Sequence, residues 1–345
     1  MSFRLGVVVG KFAPLHKGHV LLIERALAAC ERVALLSYSN PELPGYEPAR
    51  REGWLRALFP DAAVLVVTPE ALCSWLGSTH VPAIPANDAP DSAQRDFVAL
   101  LCRRVLGSRP DAVFSSEEYG AGFAAHLTRC LDDVARDAPA IRHVMVDRER
   151  RSIPISGTQL RNNLWRHWQY LPPAVARSLV QRVAILGGES SGKTVLAARL
   201  AQELDGAWAP EYGRELWVAK RGELAREDML RIAERQIERE ESAARDARAF
   251  VFCDTTPLTT LFYSREMLDF VDPQLALAAR RSYARTVLCA PDFPFVQDGT
   301  RRDDAFRQRQ HAWYERELAA RGARHVLARG ALGERCRLVR QHLGV

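Results

Sequence analysis

The sequence predicts an α/β protein of two domains. Its 345 residues amount to about two domains at ~150 residues each. Short β-rich runs alternate with helical patterns, which points to a parallel, doubly wound sheet. After an aromatic segment with Trp165, Trp168 and Tyr170, the break Leu171-Pro172-Pro173 interrupts the pattern, and the alternation restarts with Val183-Ala184-Ile185-Leu186 and a glycine-rich turn. The expected domains are therefore 1–170 and 171–345.

In the first half, strands are expected at Leu5–Val9, Val33–Tyr38, Val64–Thr68, Ala112–Ser115 and His143–Val146, with helices at Val20–Ala29 and Phe97–Leu106. In the second half, strands are expected at Phe250–Cys253, Val287–Cys289 and His325–Ala328. A long helix over Glu227–Ala247 presents Met229, Ile232, Ala233, Gln236 and Ile237 on one face. Its many Glu and Arg residues read as a solvated face with i,i+4 pairs. Sheets of this kind bind ligands at the carboxyl ends of their strands.

Composition narrows the function classes. An apolar fraction of 47% supplies two cores and 26% charged residues suits a soluble surface. No run approaches the ~18 apolar residues of a membrane span, so no membrane insertion is expected. The N-terminal residues read as a strand and not as a secretory signal, so a cytoplasmic location is expected. Seven scattered cysteines, none spaced Cys-x-x-Cys, argue against a disulfide framework or a structural zinc site. The net charge of +6 comes with only four lysines among 48 basic residues, interleaved with acids. It suits anionic substrates such as nucleotides and gives no ground for nucleic-acid binding. A homo-oligomer is left open.

Gly187-Gly188-Glu189-Ser190-Ser191-Gly192-Lys193-Thr194 fits G-x-x-x-x-G-K-[ST], after a strand and before the helical run Val195–Leu204. Glycines let the backbone wrap phosphates and helix-terminal amides face the anion. Lys193 is expected on the β- and γ-phosphates of ATP and Thr194 on Mg²⁺. Asp254 ends a strand-like run and reads either as a second Mg²⁺ contact or as a helix cap before Thr255 and Thr256. Glu211, in Glu211-Tyr212-Gly213-Arg214-Glu215, reads as a general base for an acceptor hydroxyl or as one half of a surface charge pair. Asp298-Gly299-Thr300-Arg301-Arg302 reads as an arginine-bearing lid over the triphosphate or as a solvated basic turn.

The turn after the first strand, Gly10-Lys11-Phe12-Ala13-Pro14-Leu15-His16-Lys17-Gly18-His19, opens the first helix. His16 and His19 are expected on α-phosphate oxygens near the helix terminus, with Lys11 and Lys17 adding charge. Ile155-Ser156-Gly157-Thr158-Gln159-Leu160-Arg161 reads as a helix start with Ser156 and Thr158 as caps and Arg161 as a clamp for leaving pyrophosphate.

These segments resemble the two signature motifs of the nucleotidyltransferase superfamily. Followed by a P-loop, they resemble the NadR-type bifunctional nicotinamide-nucleotide adenylyltransferase and ribosylnicotinamide kinase family. The likeness extends to Ser116-Glu117-Glu118-Tyr119-Gly120, to Glu211-Tyr212-Gly213-Arg214 and to the 298–301 lid. It implies a Rossmann-like nucleotidyltransferase domain followed by a P-loop kinase domain. The kinase would convert nicotinamide riboside to the mononucleotide with ATP, and the first domain would join that product to AMP, giving NAD and pyrophosphate. Gly10, Lys11, Phe12 and Gly18 would join the histidines around ATP, and Ser116, Glu117, Tyr119, Tyr212 and Arg214 would contact substrate. Two departures from the family pattern stand out. The residues before Gly10 leave no room for a DNA-binding helical domain, so transcriptional regulation is not expected. The stretch near Ala83–Phe97, expected to be aromatic-rich around nicotinamide, has no Trp. Trp208, Tyr212 and Trp217 read as stacking partners in the kinase half or as core. The rivals are an adenylyltransferase for another phosphorylated acceptor and a nucleotide sensor.

Overall fold

Apolar, β-branched runs and capped helices assemble, in a computed structural model, into two five-stranded parallel sheets. The structure describes residues 2–134, 138–299 and 301–345; Thr300 of the expected lid lies outside them. The chain divides into two units, Met1–Val175 and Ala176–Val345.

In the first unit the elements run β1 (Phe3–Val9), α1 (Lys17–Ala29), β2 (Cys30–Ser37), α2 (Pro48–Leu58), β3 (Ala63–Val66), α3 (Pro69–Leu76), α4 (Asp91–Arg104), β4 (Ala112–Ser115), α5 (Gly120–Cys130), β5 (Arg142–Met145) and α6 (Gly157–Asn162), and the division falls within α7 (Pro173–Leu179). The sheet order is β3-β2-β1-β4-β5, with Val7 paired to Ala34 on one side and Val113 on the other. Val7 and Val8 are fully buried, as expected of a central parallel strand covered on both faces. The order reverses between β1 and β4, which leaves a crevice at their carboxyl ends.

The second unit continues with β6 (Gln181–Gly187), α8 (Lys193–Glu203), β7 (Ala207–Ala209), α9 (Tyr212–Ala219), α10 (Arg226–Asp246), β8 (Phe250–Asp254), α11 (Pro257–Leu268), α12 (Pro273–Ala278), β9 (Arg285–Cys289), α13 (Asp304–Ala320), β10 (His325–Ala328) and α14 (Leu332–Leu343). Its order, β10-β9-β6-β8-β7, places the switch between β6 and β8. Among the described residues no helix is long and apolar enough to cross a membrane, and all seven cysteines are free.

Helix α10 corrects one expectation. Met229, Ile232, Ala233 and Gln236 do face the core, but two of its acids are buried with them and do not lie on a solvated face. Asp228 binds Lys220 at 2.6 Å and the Ala225 amide at 2.8 Å. Glu240 is fully buried, accepts from Tyr283 at 2.9 Å and pairs with Arg281 at 3.1 Å. Burial pushes its carboxyl up to about 7, against the opposing pull of Tyr283 and Arg281. A carboxyl raised in the folded state binds more protons there, so its contribution is full below the unfolded value near 4.5 and fades as pH rises through about 7. Melting temperatures measured across that window should therefore decline more in the wild type than in Glu240→Gln; parallel curves would refute the assignment.

Candidate active sites

The crevice of the first unit is a cavity of about 600 Å³. The turn after β1 contributes Gly10, Lys11, Phe12, His16, Gly18 and His19. Ser116, Glu117 and Tyr119 reach it from the segment after β4, and Ser156, Thr158 and Arg161 from the start of α6. Gly10 and Arg161, 151 positions apart, thus border one space. Lys17 is the exception: it sits exposed on α1 and is not part of the wall.

The two histidines are built into the helix start. His16 is the N-cap of α1, and its Nδ1 accepts from the His19 amide at 3.4 Å while the His16 amide donates to His19 Nδ1 at the same distance. Their rings stack with centroids 3.6 Å apart. Gly18 makes room for this, since a Cβ there would lie 3.1 Å from His16 Nδ1. Burial pulls the His16 imidazole down to about 4, with the charges of Arg150 and Arg161 adding to it. Burial also holds His19 well below its ordinary range, with His16, Arg150 and Arg161 contributing. Both rings are therefore neutral at pH 7. With Nδ1 accepting from backbone, the remaining proton sits on Nε2, free to be donated to an anion.

Ser156 caps α6, accepting from the Gln159 amide at 3.2 Å. Thr158 takes a different part from the expected cap, receiving Arg161 Nη2 at 2.9 Å, while Arg161 Nη1 donates to the Ala13 carbonyl at 2.6 Å. That second bond ties the two motifs together across the crevice. Burial, then the Arg161 charge, lowers the Lys11 ammonium, and Asp88 opposes them.

Several wall residues were not singled out from sequence: Tyr38, Asn87, Gln94, Arg95, Asp147 and Arg150. The segment that lacks the expected Trp supplies Asn87 and Asp91, polar groups instead of a ring. Ser115 also belongs to the wall; its Oγ donates to the Glu117 carbonyl at 3.0 Å and meets His143 Nε2 at 2.9 Å. Gly120 admits that imidazole, because a Cβ there would fall 2.0 Å from His143 Nε2.

In the second unit, β6 runs into the glycine-rich loop 187–194. Gly187 has φ 146°, and a Cβ on it would come within 2.8 Å of the Cys289 carbonyl oxygen, so a larger residue is doubly excluded. Ser191 Oγ and Lys193 Nζ both donate to the Gly188 carbonyl, at 2.7 and 2.8 Å. Gly192 enters α8 in the left-handed conformation. Glu189 receives the Tyr263 hydroxyl at 2.9 Å and the Arg302 amide at 2.7 Å, and Ser190 Oγ receives the Val296 amide at 3.0 Å.

Asp254 ends β8 opposite Ile185 of β6. It does not cap the following helix; Thr256 does, accepting from the Leu258 amide. Its carboxylate is buried, and neither oxygen has a hydrogen-bond partner of good geometry among the described residues. Burial pushes its pKa up, while Thr194, Lys193 and Arg214 pull it down. An orphaned buried carboxylate beside a threonine hydroxyl is a donor set that a hard cation completes.

The acceptor-sized space here is about 290 Å³ and is walled by Glu211, Arg214, Trp217, Thr259, Tyr263 and Arg301, among others. Glu211 lies 3.5 Å from Arg214, which reaches Asp298 of the lid at 3.2 Å. Burial raises the Glu211 carboxyl; Asp254 adds to this, and Lys193 and Arg214 oppose it. Arg301 pairs with Asp298 at 3.0 Å and approaches Ser190 Oγ at 3.3 Å, so the lid arginine lies over the phosphate loop. Tyr212 is not in this wall. The turn into α9 carries its ring under Arg239, 4.9 Å from the guanidinium, and its amide onto Gln236. Trp208 is also outside the wall and 39% exposed, which leaves Trp217 as the tryptophan facing the space.

A family model described as an AAA domain matches residues 182–335. The trifunctional NAD biosynthesis/regulator protein NadR of Escherichia coli (strain K12) is 31% identical over 321 residues, covering 86% of this chain and 71% of its own length. The protein of the same name from Salmonella typhimurium (strain LT2) is 31% identical over 317 residues with the same coverage. The chain belongs to the NadR family. Solved structures agree on the fold: a NadR protein in complex with NR superposes with a TM-score of 0.68 at 21% identity, covering 100% of this chain and 97% of that one. A NadR protein in complex with NAD and AMP-PNP gives 0.65 at 21% identity with the same coverage.

In this NadR-family chain the depressed histidines have a measurable consequence. A base whose folded pKa is lowered is short of protons relative to the unfolded chain, so stability present above about 6.5 is lost as pH falls toward about 4. His16→Asn retains a capping side chain without a titrating ring and should lose less stability over that interval in thermal melts. Gly120→Ala, which must displace His143, should cost about 1–3 kcal/mol in denaturant unfolding.

Proposed function

We propose that this chain makes NAD from nicotinamide riboside in two ATP-dependent steps, the first in the unit Ala176–Val345 and the second in the unit Met1–Val175. The observation that carries the reading is the presence, in a NadR-family chain, of a cationic phosphate cradle at the sheet switch point of each unit. Relatives named for NAD biosynthesis, and family structures described with NR, NAD and AMP-PNP, support the choice of substrates. The reading places the protein in the cytoplasm, in keeping with seven free thiols.

In the riboside kinase step, Glu211 accepts the proton of the 5′-hydroxyl as its oxygen attacks the γ-phosphorus and ADP leaves. A carboxyl raised by burial is better matched to this transfer than an ordinary glutamate. Lys193 swings from the Gly188 carbonyl to the β- and γ-phosphates, and Arg301 and Arg302 close from the lid. Arg214 orients Glu211. Thr194 and the orphaned Asp254 fit Mg²⁺, which when bound neutralises charge on the β- and γ-phosphate oxygens. Trp217 offers a face for the nicotinamide ring.

In the adenylyl step, a phosphate oxygen of the mononucleotide attacks the α-phosphorus of a second ATP, and pyrophosphate leaves toward Lys11 and Arg161. No general base is required, because the nucleophile is already an anion. His16 and His19 donate Nε2–H to the α-phosphate oxygens as charge builds, with Arg150 nearby. Ser116, Glu117, Tyr119 and Asn87 bound the mononucleotide side.

The test is product analysis with nicotinamide riboside, ATP and Mg²⁺. His19→Ala should cut NAD formation about 10²–10³-fold while the mononucleotide accumulates. Lys193→Ala should abolish mononucleotide formation yet leave NAD formation from supplied mononucleotide. Loss of both activities in either folded variant would break the two-site reading, and formation of neither product by the wild type would refute it.

A further inference from the structure

Outside the cavity of the first unit, helices α4 and α5 bring together three groups that the nucleotide chemistry does not use. His126 and Cys130 are four residues apart on α5, so they project from the same face. Asp96 reaches across from α4, with Oδ1 2.7 Å from His126 Nε2. The imidazole nitrogen, the thiol sulfur and the carboxylate oxygen all lie within 4.8 Å of one another. None of the three lines the nucleotide cavity, although Gln94, Arg95 and Val98 on α4 and Phe123 on α5 do.

We propose that Asp96, His126 and Cys130 form a Zn²⁺ site that clamps α4 to α5. One nitrogen, one sulfur and one oxygen ligand from two rigid helices suit a borderline-soft, tetrahedral ion, with water taking the fourth position. Cys130 is the last residue of α5, where the negative end of the helix dipole favours a cation. Arg103, which reaches the end of α5, is engaged with the Cys130 carbonyl and with Asp133 at 2.7 Å and not with the ligand atoms. His126 is 17% exposed and Asp96 64%, so the ligands are held on the protein side while the ion can enter from solvent. The absence of any Cys-x-x-Cys spacing in the sequence does not bear on this site, because its third ligand comes from another helix. A filled site pins the helices that carry Gln94, Arg95 and Phe123 and so holds one wall of the nucleotide cavity.

The test is Co²⁺ titration of the reduced 345-residue chain without nucleotide, read by sulfur-to-cobalt charge transfer. This band separates the trio from the oxygen-only set of Thr194 and Asp254. One equivalent should bind with a thiolate band and tetrahedral visible absorption. Cys130→Ser should abolish the band, and Asp96→Asn, an exposed position, should weaken binding by more than about tenfold. Zn²⁺ should raise the wild-type melting temperature by about 5 °C or more and leave His126→Ala/Cys130→Ser unmoved from its own metal-free melt. A wild type with no thiolate band, or a band surviving Cys130→Ser, would overturn the site.

Discussion

A nucleoside triphosphate carries several negative charges into a space that must also exclude water, and each unit meets that demand at the same structural point. The chain leaves the central strand of a parallel sheet, turns tightly, and presents the amino end of a helix to the anion. The glycines follow from this constraint. Gly18 yields its side-chain space to the His16 ring, and Gly187 adopts a backbone conformation and a proximity to Cys289 that no other residue tolerates. Sheet order then decides what else reaches the site, because the segments that follow the strands on both sides of the switch between β1 and β4, or between β6 and β8, converge there.

The two units add charge to that common frame in different ways. The first gathers Lys11, Arg150 and Arg161; burial, with the charges of Arg150 and Arg161 adding to it, keeps His16 and His19 neutral. The second sets Lys193 among carboxylates, with Glu211 and Asp254 both raised by burial and each unfavourable to the other. Such an arrangement is costly when empty and is relieved by a proton, a cation and a triphosphate arriving together. The lid is held by the same groups through Arg214, Asp298 and Arg301, so the acceptor carboxylate and the phosphate loop share one network.

Much of this was legible in the sequence. Contiguous motifs carry their own geometry: 10–19 and 187–194 each fix a strand end, a turn and a helix start within one stretch of chain. What the sequence hid depends on distant segments meeting. Tyr38, Asn87 and Arg150 reach the first cavity only because the segments after β2 and β5, on opposite sides of the β1–β4 switch, and the 83–97 stretch converge there. Tyr212 carries a motif yet points at Arg239, because the α9 turn rotates it away and leaves the wall to Trp217. Glu240 reads as one more surface acid until Arg281 and Tyr283, some forty residues later, enclose it. Likewise His126 and Cys130 gain a third partner only when α4 packs on α5.

The central claim is that one chain holds two independent triphosphate sites. Calorimetric titration with a non-hydrolysable ATP analogue and Mg²⁺ measures it most directly. The account predicts two equivalents bound per chain, falling to one in Lys193→Ala with the affinity of the surviving site unchanged. A stoichiometry of one in the wild type would contradict it.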